Sequence, residues 1–383
     1  MTAAGAAAWV EIDLAALRGN VKALSRHLPS SCSITAVVKA NAYGHGAVAV
    51  SRAALAAGAR RLAVGTAEEG AELREAGISA PILIIGPSLP SQVETILAHG
   101  LTPTVADRAL ARALSERARA EVPVHVEVDT GMRRHGIAAA EAVSFCREVA
   151  GDRKLRFEGL YTHFAPRKKA DVDGMREQLA VFAPILRDLE ALGLRPEVHA
   201  CNTLASLVLP EASFDSVRIG GGIYGLDPLA GSGPVRLLPV LSLKCRVAGL
   251  RDACRGDRVG YGGTFVCTRP TRLALLPVGY SDGISRAHWA GAEVLVRGRR
   301  VPIVGLISMN QTIADVTDVD GVSIGDEVVL IGEQGRLAIR AEERVVGTGS
   351  VYEITTQIAR TMPRIARGGS GGPGRFARER ISR

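Results

Sequence analysis

The stretch Arg61–Gly86, RLAVGTAEEGAELREAGISAPILIIG, decides the fold of the first two-thirds of the chain. An apolar run at 61–66 gives way to an amphipathic, acid-rich segment at 67–77, and a second apolar run follows at 81–86. Runs without polar alternation belong to strands covered on both faces. A helical segment between two of them is the crossover that parallel strands require. The same unit recurs on either side. Strands are predicted at 34–40, 101–105, 123–128, 155–162, 196–200 and 215–220, with helical segments such as 106–120 between them. Eight βα units in succession favour an α/β fold of the closed (β/α)8 barrel type over an open doubly wound sheet.

Past residue 235 the pattern changes. LLPVLSLKCRVAGL (237–250), TRLALLPVGY (271–280), AEVLVRGRRVPIVGLISMN (292–310) and DEVVLIG (326–332) are β-rich and separated by Gly, Pro and Asp turns. Little helical pattern returns before SVYEITTQIARTM (350–362). The expected division is a barrel over 1–235, whose first ten or so residues can pair with the second domain. A mostly β C-terminal domain over 236–366 and a disordered basic tail over 367–383 follow.

The formal charge of +8 loses its nucleic-acid meaning once located. The last sixteen residues hold four arginines and one glutamate, and the remaining excess is spread without aromatic interleaving. Cys32, Cys146, Cys201, Cys245, Cys254 and Cys267 are dispersed, as expected of free thiols in a reducing cytoplasm. The N-terminus lacks a basic n-region, and no apolar run approaches the ~20 residues of a membrane span. A cytoplasmic protein without nucleic-acid or membrane partners is the expectation.

Active sites of such barrels form at the C-terminal ends of the strands. The first strand is predicted to end at Lys39; the fifth leads to Arg134, the sixth to His163, the seventh to Asn202 and Thr203, and the eighth to Arg218. Each has an ordinary reading by itself: a snorkelling lysine, a satisfied structural histidine, surface arginines. Gly220 and Gly221 in IGGGIYG (219–225) would ordinarily make a tight turn. Placed around one mouth, a lysine and a glycine-rich phosphate cradle suit a carbonyl cofactor that forms a Schiff base, which suggests pyridoxal phosphate.

AVVKANAYGHG (36–46) closely resembles the pyridoxal-lysine signature of bacterial alanine racemases. The resemblance continues through WVEIDLAAL (9–17), DTGMRRHG (129–136), YTHFA (161–165), VRIGGGIYGLDP (217–228), GYGGTF (260–265), PVGYSDG (277–283) and VYEI (351–354). It implies a pyridoxal 5'-phosphate-dependent isomerase of barrel-plus-β architecture, interconverting L- and D-alanine for peptidoglycan as a head-to-tail homodimer with shared active sites. It implies that Lys39 is the Schiff-base lysine and one catalytic base, and that Tyr261 of the partner subunit is the other. Tyr43, Tyr352, Thr203 and Gly220 would contact the phosphate, beside Asn202 and Gly221. His163 would lie against the cofactor ring and Arg218 at its pyridine nitrogen. Arg134 and the backbone of Met309 would hold substrate, with Glu127, Tyr280 and Asn310 in support.

Racemisation needs a base on each face of a planar carbon. Lysine and tyrosine titrate ordinarily near pKa ~10, so both need help, which crowded cations (Arg134, Arg218) give by disfavouring a charged lysine. The sequence departs from the family pattern at Ser308-Met309-Asn310, where the family usually has Cys-Met-Asp. It also has Glu127 where a carbamylated lysine is frequent, and Thr203 for a frequent serine. Glu127 is expected to supply the negative charge directly and hold Arg134. The Asn310 amide makes a racemase for serine or another small amino acid the alternative. A non-catalytic pyridoxal-phosphate barrel would lack the β domain and GYGGTF. A decarboxylase of the same architecture would carry a late cysteine–aspartate pair that is not found here.

Overall fold

Eight short parallel strands close on themselves. They run Ser33–Val37, Arg61–Val64, Ile82–Ile84, Thr102–Val105, Val122–Asp129, Leu155–Tyr161, Glu197–His199 and Ser216–Ile219, and the last pairs with the first through Arg218 opposite Thr35. The computed structural model describes residues 5–165 and 171–368. The described residues divide into two units, one of residues 17–43, 47–165 and 171–238, the other of residues 5–16, 44–46 and 239–368.

The first unit is the (β/α)8 barrel. Its strands are buried on both faces, so Leu62, Ala63, Val64, Ile82, Leu83 and Ile84 lose all contact with solvent. Some crossover helices start where the sequence supplies a cap. Thr66 accepts from Glu69 N ahead of Ala67–Glu75, and Asp107 accepts from Leu110 N ahead of Arg108–Arg117. Barrel interiors are usually filled by branched apolar layers. Here buried polar side chains enter instead: Thr104, His125, Glu127, Tyr161, His199 and Arg218. The fifth and sixth strands slip register between Val124 and His125, a bulge that puts Val124 opposite Phe157 but His125 opposite Gly159. An ideal Cβ on Gly159 would stand 2.2 Å from the His125 ring, so glycine there makes room for the imidazole.

The second unit is mostly β. Its main sheet runs, in order, Arg299–Pro302, Glu293–Val296, Glu327–Gln334, Leu241–Arg246, Ala8–Asp13 and Arg364–Arg367, with Leu337–Ile339 paired to Glu327–Gln334. The N-terminal strand is antiparallel to Leu241–Arg246 and parallel to Arg364–Arg367. Arg367, expected at the head of the tail, is therefore a strand residue opposite Asp13. The rest of the expected tail, from residue 369, lies outside the described residues. A three-stranded antiparallel sheet joins Gly249–Ala253, Thr271–Leu276 and Thr312–Asp315. Among the described residues no helix is long and apolar enough to cross a membrane, and the six cysteines are unpaired.

Candidate active site

The first barrel strand stops at Val37, not at Lys39 as the run of β-formers suggested. Lys39 opens a turn in which Ala40, Asn41, Ala42 and Tyr43 all take left-handed helical angles, with φ of 52°, 53°, 54° and 53°. This conformation costs an L-residue roughly 1–2 kcal/mol, so the chain leaves the strand by strain before the glycines of YGHG are reached. The turn is held by the Ala42 N–H donating to Val38 O at 2.8 Å and the Ala47 N–H donating to Asn41 Oδ1 at 2.8 Å. Burial lowers the Lys39 ammonium pKa, Arg134 lowers it further, and Glu69 opposes them.

Arg218 lies in the middle of a fixed set of acceptors. Nη1 donates to His199 Nδ1 at 2.6 Å and His199 O at 3.2 Å; Nη2 donates to Thr162 O at 2.9 Å, Ala200 O at 3.0 Å and His163 Nδ1 at 3.3 Å. The guanidinium also covers the Tyr161 ring, 4.7 Å from its centroid. The Nε–H is left without a hydrogen bond to the described residues. Because a guanidinium only donates, His199 Nδ1 must accept, which puts the imidazole hydrogen on Nε2. That nitrogen stands 2.8 Å from His125 Nδ1, which in turn accepts, so His125 carries its hydrogen on Nε2 as well. His125 Nε2 faces Glu158 Oε1 at 3.5 Å. Glu158, lowered to about 2 by His125, Arg61 and Arg156, joins the ion-pair cluster of Arg61 and Glu197. Both imidazoles are buried and kept neutral, first by desolvation; Arg218 adds to this at His199. His163 is pushed down to about 3 by burial and then by Arg218, Arg134 and Lys39. Its ring is neutral near pH 7.

The expected Glu127–Arg134 pairing is absent among the described residues. The Glu127 carboxylate instead accepts from His135 Nδ1 at 2.6 Å and from the Tyr161 hydroxyl at 3.1 Å. Glu127 is buried and points inward with alternate strand residues, whereas Arg134 is exposed in the loop beyond. Tyr161 also meets Thr104 Oγ1 at 2.9 Å and stacks on His199, 4.7 Å between centroids.

Glycines meet hydroxyls beyond the seventh and eighth strands. Asn202 caps the helix Thr203–Val208 by accepting from Ala205 N, and Thr203 Oγ1 accepts from Gly222 N at 3.2 Å. Gly221 opens a single helical turn, and a Cβ on Gly220 would lie 2.6 Å from Tyr43 Oη. The Tyr43 ring is steadied by Tyr224, 5.1 Å away.

Two family descriptions cover this sequence: "Alanine racemase, N-terminal domain" over residues 12–228 and "Alanine racemase, C-terminal domain" over 240–366. The chain belongs to the alanine racemase family. The alanine racemase of Symbiobacterium thermophilum is 42% identical over 362 residues, 93% of this chain and 96% of that one. A crystal structure of alanine racemase from Bacillus anthracis with bound L-Ala-P is 36% identical, with a TM-score of 0.88 over 95% of this chain and 96% of that one. A histidine racemase from Leuconostoc mesenteroides is 29% identical, with a TM-score of 0.85 over 96% and 99%.

Alanine racemases are amino-acid isomerases that use pyridoxal 5'-phosphate, and the barrel's residues fit that group. The amine of Lys39 is displaced towards its neutral form. The Tyr43 hydroxyl lies directly against Gly220, 2.6 Å from where a Cβ would stand, so a phenol donor and a bare glycine backbone meet there as an anion cradle requires. Arg218 retains one N–H for a ring nitrogen.

The remaining expected residues belong to the β unit. Tyr261, 70% exposed, starts a one-turn helix flanked by Gly260 and Gly262, at φ 72° and 70°. Tyr280 N donates to Ser308 O at 3.0 Å, and Ser281 donates through N and Oγ to Met309 O at 3.0 and 2.9 Å. The Asn310 amide donates to Ser281 Oγ at 2.6 Å. Gly279 permits this zipper, since a Cβ there would stand 2.2 Å from Ser308 O. Tyr352 lies in the helix Val351–Thr356, where burial and then Glu342 raise its phenol pKa. His125, His199, Tyr161, His135 and Glu69 were not singled out in the sequence. The alternation of His125 and Glu127 in PVHVEV was the one available signal.

Proposed function

We propose that this chain interconverts L- and D-alanine, supplying D-alanine for peptidoglycan, with Lys39 and the Tyr261 of a second copy as the two bases. The observation that carries the reading is the Lys39 amine, displaced towards its neutral, proton-accepting form on the strained turn at a strand end. When bound, the cofactor takes the amino group covalently and withdraws electrons from the α-carbon. Lys39 then takes or returns the α-proton on one face, and a tyrosine hydroxyl serves the other. Arg218 faces the cofactor ring with a group that has almost no proton to give, since its ordinary pKa exceeds ~12. Its four Nη hydrogens are committed to protein acceptors, which fixes the plane of the guanidinium. His163 supports the ring as a neutral imidazole. Tyr43, Asn202, Thr203, Gly220 and Gly221, with Tyr352, bind the phosphate. Arg134 and the Met309 backbone hold the substrate carboxylate. The Met309 carbonyl is already taken by Ser281, so its N–H is the group offered.

A homodimer follows from the same reading. Tyr261, Met309, Tyr280 and Leu306 are exposed in the β unit, a cluster of large apolar side chains that a second copy would cover. Cytoplasmic residence agrees with the unpaired thiols. The Asn310–Ser281 hydrogen bond puts a neutral amide where the family usually has a carboxylate, which favours tolerance of polar small substrates such as serine. Enantiomer formation by the purified holoenzyme, against a panel of L-amino acids, tests the whole reading. Conversion of alanine above all others is expected, and inactivity towards alanine overturns it.

A further inference from the structure

Glu69 stands at the start of the helix after the second strand and resembles an ordinary first-turn acid of a helix. Its carboxylate does something else. Oε1 accepts the Ala40 N–H at 2.6 Å, and Oε2 accepts the Gly65 N–H at 2.7 Å. One side chain thus ties the end of the second strand to the first residue of the left-handed turn, immediately after Lys39. A Cβ on Gly65 would lie 3.3 Å from Glu69 Oε2 and 3.5 Å from Lys39 Cβ, so lysine stem and carboxylate share the space over that glycine. Ala40 to Tyr43 contain no glycine, so the turn must be held by outside contacts. The Ala40 N–H bond is the one nearest the lysine.

We propose that Glu69 is a positioning residue of the racemase site: it clamps the Ala40 amide, keeps the left-handed turn formed, and so holds Lys39 where it meets the cofactor. The inference rests on the reading of Lys39 given above. Glu69 makes no ion pair with Lys39 among the described residues, so it acts through the backbone. Its charge adds a second effect, because it opposes the burial that disfavours ammonium.

The test is equilibrium binding of pyridoxal 5'-phosphate to apoprotein, read by visible absorbance, across four proteins and a pH series. If losing the clamp leaves the turn formed in a tenth of molecules, the apparent Kd rises about tenfold. Glu69→Ala is therefore expected to weaken cofactor binding by about that factor. Ala40→Gly, which adopts left-handed angles without penalty, is expected to bind like wild type and to recover most of the loss in the double variant. Glu69→Gln, which keeps the shape but offers one acceptor oxygen to two N–H groups and carries no charge, is expected to weaken binding less than Glu69→Ala and to shift its pH dependence to lower pH. It also stands in if Glu69→Ala does not fold. Unchanged Kd in the Glu69 variants, or a double variant as weak as Glu69→Ala, overturns the clamp. Wild-type protein that fails to bind the cofactor, or a Lys39→Ala variant with an unaltered spectrum, overturns the reading of Lys39 instead.

Discussion

Replacing Gly159 by alanine should disturb the site from inside the barrel. The added methyl would lie 2.2 Å from His125 Cε1 and Nδ1 and 2.7 Å from Cγ, far inside contact distance. His125 is fully buried beside His199, so its ring has no open side to move into. Overpacking of this kind costs ~1–3 kcal/mol. Displacing His125 Nδ1 from His199 Nε2 leaves a buried N–H without an acceptor, for a further ~1–3 kcal/mol. The expected loss of stability is about 2–6 kcal/mol. The assay is a double-mutant cycle by denaturant unfolding with His125→Ala. Once the ring is gone the methyl enters vacated space, and alanine in place of glycine is expected to be neutral or to stabilise by up to ~1 kcal/mol. Gly159→Ala should therefore be costly with His125 present and nearly free without it. Equal costs within ~0.5 kcal/mol in both backgrounds would refute the argument that Gly159 exists to seat the imidazole.

Gly220→Ala would set a methyl 2.6 Å from Tyr43 Oη, so cofactor affinity should fall at least tenfold (~1.4 kcal/mol), and an unchanged Kd speaks against a cradle there. The neutral His163 gives a signed pH dependence. Its folded pKa, about 3, lies below the unfolded ~6.5, so the unfolded chain binds more protons between those values. Stability from this group is present above pH ~6.5 and lost as pH falls towards 3. His163→Gln should flatten that part of a Tm-against-pH curve, and an identical slope in the variant contradicts the assignment. Arg218→Glu faces carbonyl oxygens and will lower stability, so the readout is the partition between racemisation and transamination. Transamination should gain; an unaltered partition removes the role of a cation with no proton to donate.

The barrel was legible because strands covered on both faces leave apolar runs, and crossover helices leave acid-rich amphipathic ones. The end of the first strand was not. Val37-Val38 continues a β-forming pattern into Lys39, and nothing in Ala-Asn-Ala announces four left-handed residues. Lys39, His163 and Arg218 could be found because each falls at or near a predicted strand end. His125 and His199 could not, since a histidine among buried strand residues reads as core until its partner is known. The bulge opposite His125 shifts strand parity, so periodicity alone does not bring Gly159 to the ring. Glu127 was singled out in the sequence for the negative charge of its carboxylate. Its partner was misjudged, because Arg134 and His135 are neighbours in sequence and only the structure shows that the histidine turns in.

The central claim is that this member of the alanine racemase family moves the α-proton of alanine between two bases, Lys39 and Tyr261 of a second copy. First-turnover conversion of L-alanine in D2O tests it most directly. D-alanine carrying deuterium at the α-carbon is expected, with conversion lost in Tyr261→Phe. Absence of D-alanine, or D-alanine that retains the substrate's own α-hydrogen in excess, would contradict it.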